Sequence, residues 1–294
     1  MENEKRLIII DSNALLHRAF HALPPLTHNG QPTGAVYGYL LTLFKAIKDL
    51  NANYIVATFD TPKPTFRHEK FKDYKAHRVA TPEGIVSQIS LMKEVLESFN
   101  IPIFEKEGYE ADDIIATIAK KTESEADVFI VSGDLDNLQL VDEKIKVYTL
   151  GKGIKDSVIY DVHKVIERFS VKPEQMNDFK ALTGDTSDNV PGVPGIGKTT
   201  AAQLIKEYGS IKNLYSELAT DTAVLKPKVK EALKNNKENA FLSLELVETK
   251  KDVSIEFTLE SCKFENFDKE KVKNIFYQLG FNSLIDRLST IIQN

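Results

Sequence analysis

Asp127-Val-Phe-Ile-Val131, followed by Ser132-Gly133-Asp134-Leu135-Asp136, decides the fold class. Four apolar residues in a row, three β-branched and one aromatic, bounded by a turn, fit a strand buried on both faces. The turn that follows carries two acids. The same grammar recurs twice upstream: Arg6–Ile10 ends at Asp11, and Tyr54–Phe59 ends at Asp60. Helical spacing separates these runs, in Val36, Leu40, Leu43, Phe44, Ile47 and Leu50, in Ile85–Phe99 and in Ala111–Lys121. Ile101–Phe104, Ile145–Leu150 and Ser157–Tyr160 read as short strands. Strands alternating with helices predict an α/β fold with a mainly parallel central sheet flanked by helices. In such sheets ligands bind outside the carboxyl ends of the strands, where Asp11, Asp60 and Asp134 all fall.

From about Val171 the pattern turns helical, over Glu174–Leu182, Thr199–Tyr208, Ile211–Glu217, Lys226–Asn235 and Lys237–Val247. Ile255–Leu259 reads as a late strand, and Asp268–Leu279 and Ser283–Ile292 as closing helices. The expected organisation is an α/β core over 1–170, an appended helical unit over 171–260, and helices over 261–294 that pack back on the core. With 42% hydrophobic and 28% charged residues the chain has an ordinary globular composition. A lone cysteine, Cys262, excludes an intrachain disulfide and fits a reducing compartment. The apolar run at 7–10 is too short for a signal peptide, and no run is long enough for a membrane helix. A cytoplasmic protein that makes no membrane contact is expected.

Three acidic clusters stand out: Glu110-Ala-Asp112-Asp113, Asp134-Leu-Asp136 and Asp185-Thr-Ser-Asp188. Any one of them alone reads as helix capping. Together with Asp11 and Asp60 near one sheet edge, they require a cation, because carboxylates repel. Hard oxygen donors in this number suit Mg²⁺ or Mn²⁺, and two such ions about 4 Å apart support phosphate chemistry. Asp134 and Asp136 share a side if the chain stays extended. Asp185 and Asp188 share a face if they lie on a helical turn.

The segment after Asp60, about residues 62–84, is basic and laced with aromatics. It carries Lys63, Arg67, Lys70, Lys72, Lys75 and Arg78, with Phe66, Phe71 and Tyr74 interleaved. Cations follow phosphates and aromatic rings stack on bases. A solvated amphipathic helix has the same composition.

Gly192-Val-Pro-Gly195-Ile196-Gly197-Lys198-Thr199 matches the P-loop expression letter for letter. A P-loop needs an apolar strand before it, and Gly184-Asp-Thr-Ser-Asp-Asn-Val-Pro191 is not one. The better reading is a Gly hairpin between two helices, with Lys198 and Lys206 adding charge. Backbone amides there approach a phosphate without reading sequence.

These ordered motifs resemble the 5′-nuclease family, which includes flap endonucleases and the 5′–3′ exonuclease domain of bacterial DNA polymerase I. The likeness runs from Leu7 to about Leu288. It rests on Asp11, Arg18-Ala-Phe20-His21-Ala22, Phe59-Asp60, Phe66-Arg67-His68-Glu69, Tyr74-Lys75 with Arg78, Gly108-Tyr-Glu-Ala-Asp-Asp113, Gly133-Asp134-x-Asp136 and Gly184-Asp185-x-x-Asp188-Asn-x-Pro-Gly192 with Gly195-Ile-Gly197. The chain departs from the family pattern at His17, Leu135, Asn137, Lys198 and Thr199, and keeps all nine acids.

The resemblance implies a divalent-metal-dependent 5′–3′ exonuclease and flap endonuclease. Two Mg²⁺ or Mn²⁺ ions would be held by Asp11, Asp60, Glu110, Asp112, Asp113, Asp134, Asp136, Asp185 and Asp188. Lys75, Arg78, Asp112 and Asp134 would be catalytic. Arg18, Phe20, Arg67, Lys72, Tyr74, Lys75 and Arg78 would contact DNA. So would the helix-hairpin-helix residues Gly192, Gly195, Ile196, Gly197, Lys198 and Thr199, with a K⁺ ion at the hairpin. Implied partners are branched or nicked DNA with a 5′ end or flap, and RNA–DNA primer junctions, bound by a monomer in the bacterial nucleoid during primer removal, Okazaki-fragment processing and repair. A non-catalytic branched-DNA binder and a P-loop NTPase are the alternatives. Setting the nine acids aside would turn the net charge of −5 into +4, a sign suited to a DNA-backbone binder.

Overall fold

A computed structural model describes residues 4–151 and 156–291. The chain runs β1 (Arg6–Asp11), α1 (Ser12–Ala22), a small hairpin of β2 (Thr27–His28) and β3 (Gln31–Pro32), α2 (Gly34–Leu50), β4 (Tyr54–Thr58), α3 (Phe66–Lys70) and α4 (Glu83–Ser98). It continues with β5 (Ile103–Phe104), α5 (Ala111–Thr122), β6 (Asp127–Val131), β7 (Ile145–Leu150), β8 (Ser157–Tyr160) and α6 (Val162–Phe169). The helical part follows, as α7 (Met176–Thr183), α8 (Lys198–Tyr208), α9 (Ile211–Ala219), α10 (Pro227–Asn235), α11 (Lys237–Val247), α12 (Lys269–Gln278) and α13 (Asn282–Ile291).

The main sheet has the order β5-β4-β1-β6-β7-β8. All neighbours pair in parallel except β7 and β8, which are antiparallel. The expected fold class therefore holds. Leu7, Ile8, Ile9 and Ile10 are all fully buried because the sheet is covered on both faces. Their alternation sends Leu7 and Ile9 into one apolar cluster with α5, α7, α8 and α9. Ile8 and Ile10 enter a second cluster with α1, α2, α4, α12 and α13. Burial of each such side chain contributes about 1.5–3 kcal/mol.

Three expectations need correction. Ile255–Leu259 is not a strand. Side chains meet the backbone at and just before its start instead: Val253 N–H donates to Thr117 Oγ1 and Lys121 Nζ donates to the Ile255 carbonyl. The chain also forms helices α1 and α6, which the expected elements omit although Val162, Val165, Ile166 and Phe169 recur at helical spacing in α6. Ser283–Ile292 begins one residue earlier than expected, and Ile292 lies outside the described residues. Among the described residues no helix is long and apolar enough to cross a membrane. Cys262 is buried, and burial pushes its thiol up to about 11.

Candidate active site

Three adjacent parallel strands, β4, β1 and β6, end at Thr58, Asp11 and Val131. Asp11, Asp60 and the Ser132–Asp136 turn therefore rise from one edge. Asp11 caps α1 through Ala14 N–H and also accepts from Ser132 Oγ at 2.6 Å. Ser132 Oγ in turn accepts from Asp134 N–H at 2.9 Å. Asp60 Oδ1 accepts from Ala111 N–H at 2.8 Å, which pins the start of α5 and its acids to the end of β4. Glu110 is the N-cap of that helix, with Asp112 and Asp113 in its first turn.

The segment after Asp134 is not extended. Asp136 opens a 3₁₀ turn and its N–H donates to Asp134 Oδ1 at 2.9 Å. Asp185 and Asp188 lie on a tight loop closed by two backbone hydrogen bonds between Asp185 and Val190, not on a helix.

Burial, with mutual repulsion, raises four of these carboxyls, Asp11, Asp60, Asp112 and Asp136. Asp11 is pushed up to about 7 by burial, and Asp60 and Asp134 add to the effect. Asp136 reaches about 7 from burial and Asp134, against the pull of Lys180. Asp112 lies well above the usual range through burial and the charges of Asp11, Asp134 and Asp136. These four acids share one field, and it favours a cation.

Two lysines bridge the sheet-edge acids to the loop acids. Lys180 Nζ binds Asp136 and Asp185, the latter at 2.8 Å. Burial works against ionisation of Asp185, but Lys180 and Ser187 outweigh it and hold the carboxyl at about 2. Lys75 Nζ binds Glu110 at 2.7 Å and lies 3.7 Å from Asp188. Burial opposes the charge on Lys75, and Glu110 and Asp188 restore it and raise its pKa. Lys75 also sits at φ +54°, a costly backbone for a residue with a Cβ. Its N–H is held by the Asp188 carbonyl at 3.0 Å. Arg78 is exposed and reaches Asp188 and the Ser187 carbonyl.

Several assigned roles change. Arg67 is 2% exposed, so it is no DNA contact. Its guanidinium binds both Asp113 oxygens at 2.7 and 2.8 Å and donates to the carbonyls of Leu246 and Glu248. Asp113 also accepts from the N–H groups of Glu110 and Lys250. Its oxygens are saturated, which sets it apart as a structural acid and not a metal ligand. Tyr74 is 3% exposed and packs with Val190 and Leu246. Its hydroxyl stands between Glu110 at 3.1 Å and Asp188 at 3.2 Å, so its ring has no free face for a base. Phe20 is half-buried, with its ring against Gly84. Lys72 is exposed. Arg18, Asp134 and Gly133 share a cleft of about 430 Å³ with Ala14 and Leu135, and the Arg18 guanidinium binds the Gly151 carbonyl.

The hairpin lies between α7 and α8, with a turn where a P-loop would require a strand. That excludes the P-loop reading. Gly195, Gly197, Lys198 and Thr199 are exposed. A Cβ on Gly195 or Gly197 would meet nothing within 4 Å, so the backbone there is open to a partner. Ile196 is 4% exposed and anchors the loop in the core. Gly192 is buried, with φ +62°, and a Cβ on it would lie 2.3 Å from the Gly184 nitrogen. Ile196 and Gly192 thus shape the hairpin from within.

Sequence reading missed Ser132, Asn137 and Lys180. No local pattern marks Lys180, because Asp136 lies 44 residues away. Asn137 is fully buried, donates to Asp112 Oδ1 at 3.1 Å and leaves its own Oδ1 without a partner. Among the described residues no three acids form a ready-made coordination shell. The donor chemistry nonetheless fits a hydrated divalent ion: crowded, buried carboxylates beside an unpartnered amide oxygen.

The chain is similar to known proteins along nearly its whole length. A family profile described as "5′–3′ exonuclease, N-terminal resolvase-like domain" matches residues 6–170, and "5′–3′ exonuclease, C-terminal SAM fold" matches residues 171–270. DNA polymerase I of Bacillus subtilis is 40% identical over 98% of this chain and 33% of its own length. DNA polymerase I of Mycobacterium tuberculosis is 37% identical over 96% of this chain and 31% of its own. The chain thus spans about a third of the curated relatives it matches. Among solved structures, a bacteriophage T5 flap endonuclease complex with DNA and metal ions superposes with a TM-score of 0.70, at 22% identity over 98% of each chain. The Rad2 catalytic core with DNA substrate gives 0.65 at 18% identity, over 98% of this chain and 92% of that one.

Proposed function

The chain belongs to the 5′–3′ exonuclease family, a family of nucleases, and from that premise we propose that it is a structure-specific 5′ nuclease. It would hydrolyse phosphodiester bonds at 5′ ends and 5′ flaps with two divalent ions, Mg²⁺ or Mn²⁺. The observation that carries this reading is the crowded group of buried Asp11 and half-buried Asp112, Asp134 and Asp136 at one sheet edge, three of them with strongly raised pKa.

Bound ions would supply a water of lowered pKa and neutralise charge on the leaving oxygen. The protein's own groups do the rest. Asp11, Asp60, Glu110, Asp112, Asp134 and Asp136 form the inner acid set, with Asp185 and Asp188 behind the lysine bridges. Lys75 and Arg78 offer positive charge to the scissile phosphate, which competes with Glu110 and Asp188 for them. Arg18 lines the cleft beside Asp134. The exposed amides at Gly195 and Gly197, with Lys198, Thr199 and a K⁺ ion at the hairpin, would hold duplex backbone.

In this reading residues 1–170 carry the chemistry, 171–260 grip the duplex, and 261–294 brace the core. The substrates are nicked or branched DNA and RNA–DNA primer junctions, processed by a monomer in primer removal, Okazaki-fragment maturation and repair. The test is cleavage of a labelled 5′-flap substrate with and without Mg²⁺. Metal-dependent cutting that is lost in Asp134→Asn, with flap binding kept, is the expected result. Flap binding without any cutting by the wild type would instead identify a non-catalytic branched-DNA binder.

A further inference from the structure

Asn137 has a role that its place in a buried 3₁₀ turn does not require. Leu138 and Leu140 on the same turn are buried and apolar, and they pack into the core. Asn137 is equally buried but polar. Its Nδ2 donates to Asp112 Oδ1 at 3.1 Å. Its Oδ1 is buried with no hydrogen-bond partner. A buried amide oxygen without a donor is unfavourable, and an apolar side chain of the same volume would avoid the penalty.

The orientation of the amide is set by chemistry. A carboxylate that holds a metal ion is ionised and only accepts, so with an ion in place the NH₂ group must face Asp112. The oxygen is then left needing a donor from outside the protein. Mg²⁺ and Mn²⁺ sites commonly retain bound water, and water on such an ion is a strong donor. We propose that Asn137 is a positioning residue of the metal site. Its NH₂ fixes the rotamer of Asp112, and its oxygen accepts from a water on the ion that Asp112 helps to hold. The inference rests on the metal-dependent reading above. It predicts a residue that serves ion binding at a cost to the metal-free fold.

The experiment is Mn²⁺ titration of the wild type, Asn137→Leu and Asn137→Ala, followed by the resonance of free Mn²⁺, with thermal melts of the metal-free proteins. Partners that orient metal ligands are typically worth 10–100-fold in affinity. Both variants should therefore bind Mn²⁺ about 10–100-fold more weakly. Metal-free Asn137→Leu should melt at or above the wild-type temperature. In an Asp112→Asn background the Asn137→Ala loss should vanish, because the two groups act as one unit. A folded Asn137→Ala protein that binds Mn²⁺ within about twofold of wild type overturns the proposal, and so does an undiminished effect in the Asp112→Asn background. If the wild type itself fails to bind Mn²⁺, the metal-dependent reading falls, and this inference with it.

Discussion

The Arg67 guanidinium grips Asp113 through two parallel hydrogen bonds of 2.7 and 2.8 Å, with both side chains buried. The same guanidinium holds the carbonyls of Leu246 and Glu248, 179 and 181 residues away. It thus ties the basic segment, the start of α5 and the end of α11 into one knot beneath the acids. Removing one partner of a buried pair strands the other. Arg67→Ala should lower stability by about 3–5 kcal/mol, read from urea unfolding. Asp113→Asn should likewise unfold more easily while the folded fraction still binds Mn²⁺. A stable Asp113→Asn protein with lost Mn²⁺ affinity would return Asp113 to the metal site.

Lys180 neutralises Asp136 and Asp185 together. Lys180→Met should leave the two acids to repel and release the loop that carries Asp188. Single-turnover flap cleavage should fall by about 10–100-fold, in line with other groups that orient metal ligands. Unchanged cleavage under single-turnover conditions would limit Lys180 to a structural role.

Metal-free stability should depend on pH in a defined direction. Asp11 and Asp136 titrate near 7 in the folded chain and near 3.9 when unfolded. Raised carboxyls favour the folded state at low pH, and that contribution is lost as pH rises through about 7. The metal-free protein should melt at falling temperatures from about pH 5 to pH 8. Saturating Mg²⁺ should flatten the trend, and Mn²⁺ affinity should rise with pH, because the ligands must lose protons. A metal-free melting temperature that climbs across this range contradicts the clustered-acid description.

Two glycines of the hairpin should separate fold from binding. Gly192→Ala meets both a φ of +62° and the Gly184 nitrogen at 2.3 Å, so it should cost at least about 2 kcal/mol of stability. Gly197→Ala has open space and φ −88°, so stability should hold while duplex binding weakens. The measurement is fluorescence anisotropy on a labelled duplex, paired with a thermal melt. Equal stability in the two variants would remove the distinction.

Sequence by itself determined the parallel sheet and the acids along its edge. The three central strands β1, β4 and β6 carry unbroken apolar runs such as Leu7–Ile10 and end on polar turns, and that pattern is local. The Gly hairpin was legible for the same reason, since Gly195 and Gly197 lie within a few residues of the helix they precede. What the side chains do once folded was decided by tertiary structure alone. Composition suggested that Arg67 and Tyr74 face DNA, yet both are buried because their polar groups meet Asp113, Glu110 and Asp188. Lys180 and Asn137 join the site through partners 44 and 25 residues away. Ile255–Leu259 has a strand's composition, but Lys121 takes its first carbonyl and Thr117 holds the backbone just before it. Periodicity reports which residues leave water. Pairing between distant charges depends on which surfaces the fold brings together, and no window along the chain contains that information.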